Sequence, residues 1–259
     1  MDGLEARWVK RWKLKNLLQE YHGEIPLTEF KERYGRIHSL EIWTTFLTGK
    51  MPEKALSWYE VRFSKPFVKK ILKKMRLYNV VKDVLMKFKP SLFLKYENVK
   101  KHSSRTLPDI IKPSLTIDMI LYDNYEGNFR RLAKAINRGF KEYEEEVYRQ
   151  FRNSEEKLLR TINLQERYKL ILAYFRLADS IGHVFVKRKR KLFKAYLALD
   201  RLAYLVRKKY DGAILIISDH GMTEEGEHSM ESFWSLNVKP PLIPKSIVDL
   251  NSLVLELAK

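Results

Sequence analysis

Apolar residues along the first sixty positions follow a helical period more than an alternating one. Residues 6–21 place Trp8, Trp12, Leu14, Leu17 and Leu18 mostly on one side of a helix. Ile25-Pro26-Leu27-Thr28 breaks that period, and residues 30–38 read as a short irregular stretch. Residues 39–47 predict a helix carrying Leu40, Trp43, Thr44 and Leu47, closed by Thr48-Gly49-Lys50-Met51-Pro52. Residues 55–61 suit a strand or a loop. Phe67, Val68, Ile71, Leu72 and Met75 give residues 66–78 a helical stripe with a basic outer face, and residues 80–88 continue in that style. Pro90, Pro108 and Pro113 punctuate a less regular middle with short apolar runs at 91–94 and 115–121. Residues 128–152 form a long polar helical pattern, and residues 247–258 predict a closing helix.

Two runs differ from the rest. Residues 168–177 (YKLILAYFRL) and 213–217 (AILII) are short, continuous and rich in apolar or β-branched side chains. Such runs predict buried parallel strands. An amphipathic pattern at 192–208 lies between them, so strand, helix and strand form a βαβ unit, expected to be right-handed. The fold class is therefore α/β, and the two strands should be neighbours or near neighbours. In open α/β sheets the chemistry sits outside the carboxyl ends of the strands. The first run ends in Ala178-Asp179-Ser180-Ile181-Gly182-His183, the second in Ser218-Asp219-His220-Gly221, and His228 follows on the next loop. Carboxylate oxygen and imidazole nitrogen together suit zinc or manganese. Taken alone, one Asp-His pair also fits a surface loop with a capping Asp and a solvated His.

Composition narrows the picture. The chain of 259 residues has 45% apolar residues, enough for a sizeable core, and no 18-residue apolar window, so no membrane span is expected. The first residues lack the basic and apolar regions of a signal peptide. With no cysteine there is no disulfide, cysteine nucleophile or thiolate ligand, which fits a cytoplasmic protein. The net charge is +18. Residues 62–105 hold fourteen Lys and Arg against Asp83 and Glu97. That excess suits an anionic partner such as a nucleotide or nucleic acid, or equally a solvated face of a Lys-rich protein. Lys187 to Lys191 (KRKRK) likewise fits a solvated helix start or a phosphate clamp.

Five segments occur in one order: Asp2-Gly3-Leu4; Ser39 followed by Trp43-Thr44-Thr45-Phe46-Leu47-Thr48-Gly49-Lys50-Met51-Pro52; Asp179-x-x-Gly182-His183; Ser218-Asp219-His220-Gly221-Met222; and Gly226-Glu227-His228. Together they resemble the alkaline phosphatase superfamily, and within it the type I phosphodiesterases and nucleotide pyrophosphatases. The resemblance implies a mostly parallel sheet flanked by helices, in one domain over residues 1–259 with a small basic cap at 62–125. It implies two bound divalent metals, usually zinc. Asp179, His183 and His228 would hold one; Asp2, Asp219, His220 and the oxygen of Ser39 would hold the other. Ser39 aligns with the nucleophile, where most phosphodiesterase-type members carry Thr. Metal coordination would activate its hydroxyl, attack would give a phospho-serine, and water would then hydrolyse it. A helix starting at Ser39 would aim backbone N–H groups at the phosphate. Ser39 also suits a simple N-cap. His38 reads as a packing or substrate-side residue, His22 and His102 as surface histidines, and Trp43 as core.

The sequence departs from the pattern in two places. The family has a buried strand immediately before its Asp-Gly motif, and here the sequence opens at Met1-Asp2: either the true start lies upstream, or the first strand, which would hold the Asp2 ligand, is missing, and that puts the second metal in doubt but not the first. Glu53-Lys54-Ala55-Leu56 replaces a His-Gly pair that often follows Pro52. Ser39 is followed by Leu40-Glu41-Ile42-Trp43, which lacks the sulfatase pattern C/S-x-P-x-R. The leading expectation is a phosphodiesterase or nucleotide pyrophosphatase. The alternatives are a phosphomonoesterase of the same superfamily and a basic, non-catalytic nucleic-acid-binding protein on the same fold.

Overall fold

The computed structural model describes residues 1–56, 60–61, 94–95, 105–120, 122 and 125–259. The expected helices at 66–78 and 80–88, and most of the basic segment 62–125, lie outside the described residues, as does His102. The fold mixes α and β. In chain order it runs α1 (Ala6–Arg11), β1 (Tyr21–Pro26), α2 (Thr28–Tyr34), α3 (Ser39–Thr48), α4 (Leu107–Ile110), β2 (Ser114–Ile117), α5 (Tyr125–Arg138), α6 (Phe140–Ile162), β3 (Leu170–Ala173), α7 (Leu177–Phe185), α8 (Lys189–Lys209), β4 (Leu215–Ser218), β5 (Glu231–Leu236) and α9 (Ile247–Leu257). A two-residue antiparallel pair also joins Glu60–Val61 to Leu94–Lys95. No helix among the described residues is long and apolar enough to cross a membrane.

The expected mostly parallel sheet is found only in part. β2 and β3 pair in parallel, from Ser114 opposite Leu170 to Ile117 opposite Ala173. β4, expected to be parallel, instead pairs antiparallel with β5, which pairs antiparallel with β1, giving the order β1-β5-β4. Among the described strands, β3 and β4 are not bonded to each other. The Asp2 amide donates to Phe175 O just past β3 (2.7 Å), and the Met1 ammonium donates to Ile217 O in β4 (2.5 Å). The C-terminal ends of both strands therefore meet at Asp2.

Two apolar cores flank these sheets. One joins α1, α6, α7 and α8 through Trp8, Phe151, Ile181, Tyr196 and Leu199. The other gathers Ile25, Trp43, Phe46, Leu107, Trp234 and Leu250 from β1, α3, α4, β5 and α9. Trp43 is core, as expected, with 4% of its surface exposed.

Several elements differ from the periodicity for local reasons. The helix expected over 6–21 stops at Arg11, and Lys13 takes a left-handed φ of 52°. Buried Asp200 of α8 then accepts from the amides of Asn16 (2.9 Å) and Leu17 (3.0 Å), holding that turn open. The residues read as a break and an irregular stretch form β1 and α2. The single long helix expected over 128–152 is two helices, α5 and α6, divided at Gly139 with φ 146°. The apolar period passes through that position, but its backbone does not continue the helix. Residues 247–257 form the closing helix, started by a capping box between Ser246 and Asp249.

Candidate active site

The strand ends and one helix face bring the candidate residues together. Asp179 and His183 are not on a loop at the end of a strand, as expected, but one turn apart on α7. Spacing i, i+4 puts both on one face, with Asp179 Oδ1 3.0 Å from His183 Nε2. His228 comes from the loop between β4 and β5. That loop is closed by Ser229 N–H to Gly221 O (3.0 Å) and by Gly221 N–H to Ser229 Oγ (2.9 Å). It sets His228 Nε2 3.1 Å from His183 Nε2 and 3.9 Å from Asp179 Oδ1. These three residues form one cluster able to hold a metal ion.

The second cluster joins Asp2, Asp219 and His220, all buried. Asp219 and His220 follow directly on β4. Asp2 is pinned by its own amide to Phe175 O, and its carbonyl accepts from Asp179 N–H (3.1 Å). His220 Nε2 lies 3.3 Å from Asp219 Oδ2 and 3.6 Å from Asp2 Oδ1. The two clusters abut, since the His220 and His228 rings stack 3.6 Å apart. Ser39 opens α3 beside them. Its Oγ lies 3.1 Å from His220 Nε2 and donates towards Asp2 Oδ1 at 3.4 Å. The N-cap of that helix is His38, so Ser39 sits one residue inside the helix.

The donor chemistry fits cations. Asp219 Oδ2 is buried without a hydrogen-bond donor, which is costly for a carboxylate unless something positive meets it. His220 Nδ1 faces Gly221 O (2.9 Å) and His228 Nδ1 faces Ile37 O (3.0 Å). Those carbonyls hold the proton on Nδ1 and leave Nε2 as a lone-pair donor, the usual outer support of a ligating histidine.

The electrostatics agree. Burial, then the charge of Asp179, pushes Asp2 above its ordinary range, and burial, then Asp2, pushes Asp219 well above it. Burial and the neighbouring His228 hold His220 down to about 3. Burial also lowers His228. Burial works against charge on His183 as well, but Asp179 overrides it and raises the ring to about 9. The same pair keeps Asp179 well below the carboxylate range, although burial alone would raise it. Asp2 and Asp219, crowded at low dielectric beside the charge of Asp179, thus carry an unfavourable negative charge that a cation relieves.

All seven residues singled out in the sequence meet here. Two others were missed. The Tyr174 hydroxyl donates to Asp2 Oδ2, and the charge of Arg176 lowers both Asp2 and Asp179. Both lie in the run 168–177, where a phenol and a guanidinium at a strand's carboxyl end were the available signal. His38 pairs with buried Glu41 (2.9 Å), and His22 faces Gln19 O (2.9 Å).

A family model described as type I phosphodiesterase / nucleotide pyrophosphatase matches residues 58–236. That span includes Asp179, His183, Asp219, His220 and His228, while Asp2 and Ser39 precede it. No curated protein and no solved structure matches the chain. With more than half its length matched, the chain belongs to the type I phosphodiesterase / nucleotide pyrophosphatase family of the alkaline phosphatase superfamily.

Proposed function

We propose that this protein hydrolyses phosphodiester or pyrophosphate bonds of nucleotide-like substrates, with Ser39 as nucleophile beside two divalent metals. Family membership supports phosphate-ester hydrolysis with metal ions. The observation that carries the finer reading is the place of Ser39 Oγ, within 3.4 Å of both His220 and Asp2 at the start of a ten-residue helix. Asp179, His183 and His228 would hold one ion; Asp2, Asp219 and His220, with Ser39 Oγ, the other. Bound zinc or manganese supplies Lewis acidity at the phosphoryl oxygens and makes a coordinated hydroxyl acidic enough to react.

The chain's own residues account for the remaining steps. Ser39 Oγ bonds to phosphorus, its proton passes to solvent, and the P–O bond to the leaving group breaks, so an alcohol or a nucleotide departs. The first turn of α3 offers backbone N–H groups to the phosphoryl oxygens as their charge grows. Water then attacks the phospho-serine, the Ser39 Oγ–P bond breaks, and a phosphomonoester leaves with Ser39 restored. Tyr174 and the backbone of Asp179 orient Asp2 throughout.

The test compares bis-p-nitrophenyl phosphate with p-nitrophenyl phosphate, with added zinc or manganese, for wild type and Ser39→Ala. Diester turnover at least ~10³-fold weaker in Ser39→Ala is expected for loss of a nucleophile. Turnover that survives the substitution overturns the role of Ser39. Preference for the monoester overturns the phosphodiesterase reading. Salt-sensitive nucleic-acid binding with neither turnover nor bound metal overturns hydrolysis altogether.

A further inference from the structure

The outer face of α8 (Lys189–Lys209) carries charge and apolar surface that the two clusters do not use. On its inner side Leu192, Tyr196, Leu199 and Ala203 turn into the first core. On the opposite side Arg190, Phe193, Leu197, Arg201, Tyr204 and Lys208 follow one another at spacings of three and four residues. Such spacing keeps them on one stripe, about five turns and about 27 Å long. Phe193, Leu197 and Tyr204 are 39%, 48% and 49% exposed. Large apolar side chains sharing one stripe of a helix are ordinarily buried against another element. Here they stand in the open, separated by cations.

The charge of this face has one sign. The helix holds eight Lys and Arg against a single acid, Asp200, which is buried and bonded to Asn16 and Leu17. Lys191, off the stripe, is paired with Glu144 of α6. Arg190, Arg201 and Lys208 are exposed and pair with no acidic side chain among the described residues. The neighbouring chain adds to the excess. Trp12 packs edge-on against Phe193 at 5.2 Å, and Asn16 is bonded to Asp200, so the turn between Trp12 and Asn16 runs beside α8. That turn carries Lys13 and Lys15, both exposed.

We propose that the outer stripe of α8 docks the protein on the surface of an anionic lipid bilayer, with Phe193, Leu197 and Tyr204 entering the boundary of the acyl chains and Arg190, Arg201 and Lys208 meeting lipid phosphates. An exposed helix face that alternates cations with large apolar groups suits such an interface. The stems of Arg and Lys lie along apolar surface while their heads reach the phosphates, and a tyrosine keeps its hydroxyl at headgroup level. Charge complementarity alone also fits nucleic acid, and Leu197 decides between the two. Nucleic acid is held by cations and by rings on which bases stack. A half-exposed leucine in the middle of the stripe offers a base no ring but gains from hydrocarbon. The helix lies on the bilayer and does not cross it, in keeping with the lack of a spanning helix among the described residues. The proposal concerns a surface and stands whether or not Ser39 is the nucleophile.

The test is co-sedimentation of the full chain with sucrose-loaded phosphatidylcholine vesicles, with and without roughly 30% phosphatidylserine, for wild type, Leu197→Gln, Arg201→Glu and Lys31→Glu. Lys31 is exposed on α2, and its reversal changes the net charge as much as Arg201→Glu does. We expect wild type to bind the vesicles containing phosphatidylserine about tenfold or more tighter than the neutral ones. Leu197→Gln should weaken that binding about fivefold and Arg201→Glu about tenfold or more. Lys31→Glu should leave it unchanged, and all three variants should melt close to wild type. No preference for the anionic vesicles overturns the proposal. Equal losses from Lys31→Glu and Arg201→Glu show that net charge alone binds, and overturn the assignment to α8. Undiminished binding by Leu197→Gln overturns insertion of the stripe. If Arg201→Glu instead weakens binding of a single-stranded oligonucleotide and leaves vesicle binding intact, the face is a nucleic-acid surface and the proposal falls.

Discussion

Gly3 is the tightest joint between the two clusters, and Gly3→Ala tests how they are held. Its φ is +70°, and an added Cβ would lie 2.6 Å from Asp179 Cα and 2.8 Å from Asp179 N. Those are backbone atoms of α7, so no flexible side chain can give way. A left-handed alanine costs about 1 kcal/mol, and overpacking against backbone adds roughly 1–3 kcal/mol. The expected loss is therefore about 2–4 kcal/mol, a fall in melting temperature of roughly 5–15 °C for a chain of this size. The relief available is to move Asp2 and Gly3 away from Asp179, which lengthens the Asp179 N–H to Asp2 O bond of 3.1 Å and separates a carboxylate of one cluster from the other. Gly35→Ala is the control. Its φ is +72°, but nothing lies within 4 Å of the added Cβ, so only the dihedral cost of about 1 kcal/mol remains. Calorimetry gives the two melting temperatures, and titration with zinc followed by elemental analysis gives the stoichiometry. Gly3→Ala should melt well below Gly35→Ala and bind less metal. Equal melting temperatures with equal metal content would show that Asp2 and Asp179 are not set by this contact.

Asp219→Asn should melt higher than wild type in chelator yet gain nothing from added zinc, because it removes a charge that burial and Asp2 disfavour and removes a donor oxygen; a lower melting temperature in chelator would refute the electrostatic account. Asp200→Ala strips the acceptor from the amides of Asn16 and Leu17 and from Asn16 Nδ2 (2.7 Å). It should cost about 2–4 kcal/mol by denaturant unfolding with diester turnover per folded molecule unchanged; a cost under ~1 kcal/mol would contradict the role of that carboxylate. The Asp179–His183 pair gives the metal-free protein a defined pH response. His183 is raised to about 9, so its share of stability is complete below its ordinary value near 6.5 and is lost as pH rises through about 9. Asp179 is lowered, so the same pair weakens again as pH falls below the usual carboxylate range. The ring is 43% exposed, so screening keeps the effect modest. His183→Gln in chelator should flatten the loss between about pH 7 and 9, and a curve parallel to wild type would disprove the pairing.

The chemistry was more legible in the sequence than the topology. Asp179 and His183 lie four residues apart, and Asp219 and His220 are adjacent, so short-range spacing already carries most of each ligand set. Even so, the spacing of the first pair was read as a strand-end turn, because Leu177 to Phe185 is too short a stretch to show its period plainly. β5 was missed because Ser232 and Ser235 interrupt its apolar pattern. Both serines are buried, satisfied by bonds to Ser218 O (2.5 Å) and Leu17 O (2.6 Å) that exist only in the folded chain. With β5 unseen, β4 had no antiparallel partner to be assigned, and its apolar run was read as parallel. The break at Gly139 and the turn at Asn16 have the same origin: one backbone dihedral in the first case and a carboxylate 184 residues away in the second.

Asp2 joins these two levels. Its carboxylate belongs to the second cluster, while its backbone and that of Met1 reach one half-sheet each. Any change in the separation of β3 and β4 therefore moves a candidate ligand, and any cation drawn to Asp2, Asp219 and His220 pulls the two half-sheets together. Metal binding and sheet integrity should therefore be coupled: zinc should slow exchange at 170–173 and 215–218. Asp179, His183 and His228 should feel that coupling less, since α7 and the β4–β5 loop supply all three side chains.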